Sequence, residues 1–378
     1  MRRIGGLAAF AIAMLAGWIV LGLVQRPPGD KGRGDARLVA SLRHLDAEAE
    51  AGEAVRMQAL FPEGYVFTRV LHGLAWAAVA ADSTLAPDLR AEASEKAREA
   101  AADLDTSYGR SPFPATLDPP HGAFYAGWTL WLDVERLRAV PNDRILLASF
   151  HQRADDLATA LTRSLDASGS PFLPSYAHLA WPADGLVGVA ALAQHDRLFE
   201  PRYTPLIRRW LDAAADRTDP ASGLLAHAAR VPDGAPMGGL RGSSQALMLR
   251  FMAEVDPDLG RQMFEAFRER FVTTRFGLPV VLEYPVGTEG EPDIDSGPLP
   301  MGVSMPGTVV AIGAARRYGD EALARDLSQT VEAFGFPLVW RGRRMYALGA
   351  LPVGDAFLAW ARTAEPLPPP RRRGGQTR

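Results

Sequence analysis

Apolar residues recur at the three-to-four-residue spacing of an α-helix along nearly the whole chain between residues 36 and 365, and strand-like alternation is scarce. The pattern predicts about twelve helices, with ends uncertain by a few residues. The predicted helices cover residues 36–60, 65–82, 87–104, 121–139, 143–168, 184–197, 201–216, 241–254, 257–272, 302–317, 320–333 and 352–363.

Successive predicted helices alternate in character. One kind is charged with a single apolar stripe, as in DLRAEASEKAREAAADL, and the next is rich in Ala, Gly and Leu on nearly all sides, as in GLVGVAALAQHDRLF. A helix with one apolar stripe lies at the surface, whereas one that is apolar all round is buried. The alternation therefore predicts an all-α protein, an α/α toroid in which about six helical hairpins form a barrel with an outer and an inner ring.

In such a barrel the inner helices run parallel, so the loops that precede them gather at one end, which we call the mouth. These entry loops are rich in Gly, Pro, aromatic and polar residues, whereas connections at the far end, such as AEVDPDLG and RYGDEA, are short and polar. Function commonly lies on loops held by a rigid scaffold, so the mouth is the predicted cleft. The entry loops read FPEGYVF, LDPPHGAFYAGW, LPSYAHLAWPADG, GAPMGGLRGSSQ, EYPVGTEGEPDIDSGPLPMG and MYALGALPVGD.

The N-terminal segment carries a membrane signal. Residues 4–24 are uncharged and follow Arg2 and Arg3, and the run is long enough to cross a bilayer as a helix. No small-x-small cleavage site precedes Gln25, which favours an uncleaved signal anchor over a removed signal peptide. We predict a single-pass anchor (1–25) in the inner (plasma) membrane, a tether (26–35), a periplasmic or otherwise extracytoplasmic barrel (36–365) and a disordered basic tail (366–378). Basic residues on both sides of the span leave its orientation less constrained.

Composition narrows the function classes. The 378 residues are 47% hydrophobic and 22% charged, as in an ordinary globular protein. The absence of cysteine excludes disulfides, thiolate catalysis and Cys-based zinc sites. The formal net charge of −3 includes arginines near both termini, so the body is more acidic than that and offers no basic surface for nucleic acid. Neither a P-loop nor a Rossmann glycine pattern is present, and we expect no cofactor.

The segment DGLVGVAALAQHDRLFEPRYTPLIRRWLDAAADRTDPASGLL, followed by RGSSQALMLRFMAEVDPDL, resembles the catalytic domain of linalool dehydratase/isomerase over residues 55–335. The resemblance implies an α/α barrel with a secretory leader. It also implies a pocket that relies on cysteines, one of which falls at about Asp184, and on a histidine that falls near Trp128. The alternating helices are also similar to the α/α-toroid glycoside hydrolases, several of which are membrane-anchored or periplasmic.

Three carboxylates at the mouth are the predicted catalytic residues: Asp184, Glu283 and Asp295. Asp184, in WPADG, begins a predicted inner helix, where it can act as an N-cap, as a cleft carboxylate or as both. Asp295 and Glu283 lie at the two ends of the acidic part of the longest entry loop. Two carboxylates in different environments can divide into a protonated acid and an ionised base, as glycosidic cleavage requires. The remaining acids of that loop, Glu289, Glu291 and Asp293, are predicted to be solvated, and no metal ligands are assigned.

Aromatic and basic side chains at the same end are the predicted substrate-binding residues. Some of them recur at i, i+4 and i+7 on one helix face, which suits a binding surface or core packing. Arg241 is expected to pair with Asp184 or Asp295, or to bind a substrate, and His195 and His227 are interpreted as isolated structural residues. The predicted binding set is His121, Tyr125, Trp128, Tyr176, Trp181, Arg241 and Tyr284.

Three functional hypotheses follow from these features. The first is a membrane-anchored extracytoplasmic enzyme that uses carboxylate acid–base chemistry to hydrolyse a glycan or a similar polyhydroxylated substrate. The second is a hydro-lyase or isomerase of the linalool dehydratase type acting on a small alcohol. The third is a non-catalytic protein that binds a glycan or scaffolds envelope or polysaccharide machinery.

Overall fold

The computed structural model describes residues 32–368. The predicted membrane anchor lies outside this range, as do most of the tether and of the basic tail. Within the described range no helix combines the length and the apolar character that crossing a membrane requires.

The described chain is mostly helical and follows the predicted alternation of outer and inner helices. In chain order the α-helices of eight or more residues are α1 (Ala36–Glu50), α2 (Glu53–Leu60), α3 (Gly64–Ala81), α4 (Pro87–Leu104), α5 (Gly122–Ala139), α6 (Arg144–Ser168), α7 (Pro182–Leu198), α8 (Thr204–Ala215), α9 (Gly242–Val255), α10 (Pro257–Phe271), α11 (Met305–Arg317), α12 (Glu321–Phe334) and α13 (Pro352–Arg362).

The inner ring consists of α3, α5, α7, α9, α11 and α13. Each of these helices packs against the next one in the list, and α13 packs against α3, which closes the ring. The other helices lie outside it. The prediction of a helical α/α toroid is therefore confirmed for residues 32–368.

Residue size explains which helices can be inner. Between α5 and α7 the backbones come so close that a Cβ atom on Gly127 would lie 3.1 Å from the amide nitrogen of Gly188. The outer helix α10 instead buries one stripe, which includes Phe264, Phe267 and Phe271, and exposes charged residues elsewhere. Small residues thus allow the inner helices to pack closely. Each outer helix packs against the inner ring through a single apolar face.

Aromatic rings from several inner helices meet inside the barrel. The ring centroid of Trp128 lies 5.5 Å from that of Phe67, 5.3 Å from that of Phe251 and 5.7 Å from that of Trp360. Trp128 is fully buried. The interior below the mouth is therefore filled by side chains.

Several local features depart from the prediction. The predicted helix 36–60 is two helices, because Gly52 adopts a left-handed conformation with φ 78° between them. Leu367, in the predicted disordered tail, donates its N–H to the carbonyl of Arg317 at 2.8 Å.

Short antiparallel strands occur in the entry loops, in three small sheets: β1 (Leu179–Ala180) with β2 (Ala228–Arg230) and β3 (Pro236–Met237), β4 (Val272–Arg275) with β5 (Leu278–Val281), and β6 (Leu338–Trp340) with β7 (Arg343–Met345).

Candidate active site at the mouth of the barrel

The backbone of the described chain is unusual at the mouth. Within residues 32–368, every non-glycine residue with positive φ lies in a segment that leads from an outer helix to an inner helix. Such conformations are uncommon outside glycine and cluster at functional sites. These residues are His121, Phe276, Met301, Phe336, Arg341, Ala347 and Leu348.

Asp184 lies in the first turn of α7, two residues after the proline that begins the helix. Its Oδ2 accepts a 2.6 Å hydrogen bond from the hydroxyl of Ser175. Burial raises the pKa of Asp184 to about 8, with further contributions from the negative charges of Glu63 and Asp295. Asp184 therefore keeps its proton at neutral pH and can act as a proton donor.

Glu63 precedes the first residue of α3, and the sequence analysis did not select it. The phenol of Tyr176 donates a hydrogen bond to its Oε1 across 113 residues of sequence. Burial and the carboxylate of Glu63 hold the pKa of Tyr176 far above its ordinary value. The Tyr176 ring also packs edge-on against Trp181, with centroids 5.7 Å apart. The available signal for Glu63 was its position, since it comes just before an inner helix in an entry loop.

Asp295 is more exposed than Asp184, with 45% of its side chain accessible. Partial burial raises its pKa to about 6, and the charges of Asp293 and Glu63 add to this effect. Nε2 of His227 lies 3.9 Å from Oδ2 of Asp295. The prediction that His227 is isolated is therefore wrong, because the fold brings it to the mouth.

His227 is mostly buried, with 12% of its side chain exposed. Its Nδ1 lies 2.7 Å from the hydroxyl of Ser244, in the first turn of α9. Burial and the neighbouring Arg241 lower the pKa of His227 to about 4. The imidazole is thus neutral at physiological pH.

Arg241 does not pair with Asp184 or Asp295, the partners that the sequence analysis expected, but with other residues. Its guanidinium forms an ion pair with Asp293 and lies over the ring of Tyr284, 5.2 Å from the ring centroid. Asp293 also accepts backbone N–H bonds from Asp295 and Ser296, at 3.1 and 2.9 Å. The expectation of a solvated Asp293 is therefore wrong, whereas Glu289 and Glu291 are exposed as expected.

Glu283 is fully buried behind the mouth. Its Oε1 accepts a 2.8 Å hydrogen bond from Ser243 and lies 3.7 Å from the guanidinium of Arg241. Its Oε2 has no hydrogen-bond partner, and burial raises its pKa. Because no part of the carboxylate is accessible, Glu283 is placed to support Arg241 and not to contact a substrate directly.

Three of the predicted binding residues are used in packing. Nδ1 of His121 lies 2.9 Å from the carbonyl oxygen of Phe113. The phenol of Tyr125 donates to the carbonyl of Leu104 at 2.8 Å, and its side chain is buried. Trp128 belongs to the aromatic interior. Tyr176, Trp181 and Tyr284 keep partly exposed side chains at the mouth.

Glu63, Asp184 and Asp295, which we call the carboxylate cluster, influence one another electrostatically at the mouth. None of them forms an ion pair with lysine or arginine within the described chain, although Arg241 lies close by and is taken up by Asp293 and Glu283. Burial and the negative charges of neighbouring carboxylates raise the pKa values of Asp184 and Asp295. These two groups can therefore donate and accept protons near neutral pH.

No protein-family model matches the chain, and none of the curated proteins matches its sequence. The resemblance to linalool dehydratase/isomerase is consequently not shown.

Two solved structures have a similar helical arrangement. An α-mannanase of glycoside hydrolase family 76 from Bacteroides thetaiotaomicron has 11% sequence identity and a TM-score of 0.48, with 79% of this chain and 85% of that chain covered. A D-mannose isomerase has 9% identity and a TM-score of 0.46, with 78% of this chain and 86% of that chain covered. At such identities the likeness concerns the arrangement of helices and not the residues of the mouth.

Proposed function

We propose that this protein is an enzyme that uses the carboxylate cluster for acid–base chemistry on a glycan or a similar polyhydroxylated substrate, with hydrolysis of a glycosidic bond as its reaction. One observation carries the proposal. Asp184 and Asp295 lie near Glu63 at the mouth with raised pKa values, and none of these three carboxylates has a lysine or arginine partner in the described chain. Groups with such perturbed pKa values are concentrated at catalytic sites.

The pKa values suggest separate roles for two of the carboxylates. Asp184, with a pKa of about 8, is protonated at neutral pH and would protonate the oxygen of the leaving group. Asp295, with a pKa of about 6, is mostly ionised at neutral pH and would act as base or nucleophile. This division between a protonated and an ionised carboxyl group is what glycosidic cleavage requires.

Aromatic side chains beside the cluster support a sugar as the ligand. Tyr176 and Trp181 are partly exposed next to Asp184, and a sugar ring can stack its apolar face on such rings while its hydroxyls bond to carboxylates. Tyr176 also links its own entry loop to that of Glu63, which fixes the ring beside the acids.

The two other hypotheses receive less support. A small alcohol suits a closed apolar chamber, but the interior of this barrel is filled by Trp128 and the rings around it. A scaffold would be expected to lock its mouth carboxylates in ion pairs, and the cluster carboxylates have none with lysine or arginine in the described chain.

The proposal is tested by measuring release of reducing ends from a panel of polysaccharides. The full-length protein is expected to cleave at least one of them, and Asp184→Asn and Asp295→Asn are each expected to lower the rate by at least about 100-fold. Glu291→Gln is the matched control, because Glu291 is an exposed acid of the same loop as Asp295. Wild-type rates in both aspartate variants would refute the assigned roles, and dehydration of small alcohols in place of cleavage would favour the hydro-lyase alternative.

A further inference from the structure

We propose that His227, Asp293 and Asp295 form a binding site for one divalent cation of the Zn²⁺ or Mn²⁺ type at the edge of the mouth. The inference goes beyond the proposed function, because binding of a metal ion is measurable without any substrate.

Geometry is the first argument for the site. One ligand atom from each of the three residues lies within 4.8 Å of the other two. Nε2 of His227 and Oδ2 of Asp295 are 3.9 Å apart, which is too far for a hydrogen bond. Two ligands bound tetrahedrally to one metal at 2.0–2.2 Å are about 3.4 Å apart, so a shared cation would draw these two atoms together by about half an ångström. The exposed Asp295 side chain can rotate to close any remaining gap.

The second argument concerns the free lone pairs that face each other. Nδ1 of His227 is engaged by Ser244 at 2.7 Å, whereas Nε2 is directed towards Asp295. When Nδ1 carries the proton and donates it to the hydroxyl, Nε2 presents a lone pair, as in histidines that bind metals through one nitrogen and a hydrogen bond through the other. Asp295 also lacks a lysine or arginine partner within the described residues.

Asp293 is held in position for the third ligand. Its Oδ1 accepts the backbone N–H groups of Asp295 and Ser296, and its Oδ2 pairs with Arg241. These contacts fix the position of the Asp293 carboxylate at the edge of the mouth. Arg241 competes for its other oxygen, so the cation has to bind through Oδ1 or displace part of that ion pair.

The kind of ligand decides the kind of metal. Imidazole nitrogen suits Zn²⁺ and other first-row metals, whereas Ca²⁺ and Mg²⁺ prefer oxygen ligands alone. A site with one imidazole and two carboxylates should therefore bind Zn²⁺ or Mn²⁺ more tightly than Ca²⁺. Three protein ligands leave coordination positions open to water or substrate oxygens. A cation here would also supply the positive charge that Asp295 lacks.

Isothermal titration of the full-length protein tests the site, after treatment with a chelator and exchange into metal-free buffer. Titration with Zn²⁺ and, separately, with Mn²⁺ is expected to show one ion bound per chain for at least one of the two metals. His227→Gln and Asp295→Asn are each expected to weaken that binding at least tenfold. Asp295 is exposed, so its replacement keeps the protein folded and the result interpretable even if the histidine variant is unstable.

His178→Gln and Glu289→Gln are the matched controls, because both residues are exposed on entry loops of the same mouth. Both variants should bind the metal as the wild type does. The proposal is overturned if neither Zn²⁺ nor Mn²⁺ binds, or if binding is unchanged in Asp295→Asn. It is also overturned if Ca²⁺ binds as tightly as Zn²⁺ and His227→Gln has no effect, since the site would then use oxygen ligands only. None of these results depends on whether the protein cleaves a glycan.

Discussion

At the scale of single residues, Asp184 differs from two buried carboxylates elsewhere in the described chain. Asp133 is buried between Arg136 and Arg153, at 3.1 and 3.3 Å. Glu254 is buried between Arg197 and Arg317. Asp184 is half-buried and has no lysine or arginine partner within the described chain. Removing a carboxylate from water without a counter-charge costs stability.

The stability of the protein is expected to depend on pH through Asp184. The pKa of this group is about 8 in the folded state, above its ordinary value of 3.8. Between these two values only the folded state holds the proton, so stability falls as pH rises from about 4 to about 8. Asp184→Asn has no proton to lose. The variant should match the wild type near pH 4 and exceed it at pH 9 in urea unfolding.

Glu254→Gln should have the opposite effect on stability in the same measurement. The substitution removes the negative charge that Arg197 and Arg317 share, which should destabilise the protein by about 3 kcal/mol at neutral pH. If Asp184→Asn were also less stable than the wild type at pH 9, Asp184 would have to be a structural carboxylate with a favourable partner.

The sequence could locate only some of these residues. Asp184 stands out because it begins an apolar helix, and Tyr176 and Trp181 lie in a loop of evident aromatic character. Glu63 offered only its position in an entry loop and His227 offered no signal, because their contacts are with Tyr176 and Asp295 on other loops. Contacts of this kind, which join loops as far apart as 113 residues, leave no periodic signal.

At the scale of elements, the periodicity predicted the helices well because each of them buries a regular face. The boundaries agree to within three residues for α3 to α13. The strands of the entry loops were missed since they are two to four residues long, too short for alternation to show. Trp128 was predicted to bind a substrate but is buried. The spacing of residues shows that they share a helix face, but it does not show whether that face contacts a ligand or other helices.

Glycines at the beginnings of inner helices provide a prediction at this scale. Gly242 begins α9, and a Cβ atom there would lie 2.0 Å from the carbonyl oxygen of Leu282. Its N–H also donates to the carbonyl of Glu283 at 2.8 Å. Because this contact is with backbone, Gly242→Ala should displace the segment that carries Glu283 and lower the free energy of unfolding by about 3 kcal/mol.

Gly185→Ala is the matched control in the first turn of α7. A Cβ atom at this position meets nothing within 4 Å, so alanine should be neutral or stabilise the helix by up to about 1 kcal/mol. Both variants can be compared by urea unfolding at neutral pH. If the two substitutions changed the free energy of unfolding equally, the close contact between Gly242 and the carbonyl of Leu282 would not be needed to hold the loop of Glu283 in place.

At the scale of the whole molecule, both ends of the described chain lie away from the mouth. Outer helices run from the far end towards the mouth, so α1 begins at the far end, and α13 ends there. Arg33 and Glu365 form an ion pair at 3.1 Å that joins the two ends. The predicted anchor, residues 1–25, would therefore join the barrel at the far end. We propose that the mouth faces away from the membrane, towards extracytoplasmic glycans.

The lack of cysteine makes the side of the membrane on which the barrel lies directly testable, since a single introduced thiol is the sole labelling site. Glu289→Cys places a thiol on the exposed loop of the mouth, and Glu200→Cys places one in the far-end connection between α7 and α8. In intact cells that produce the full-length chain, a membrane-impermeant maleimide should label both variants as fully as it does after lysis. Labelling only after lysis would place the barrel in the cytoplasm, and the carboxylate cluster would then need an intracellular substrate.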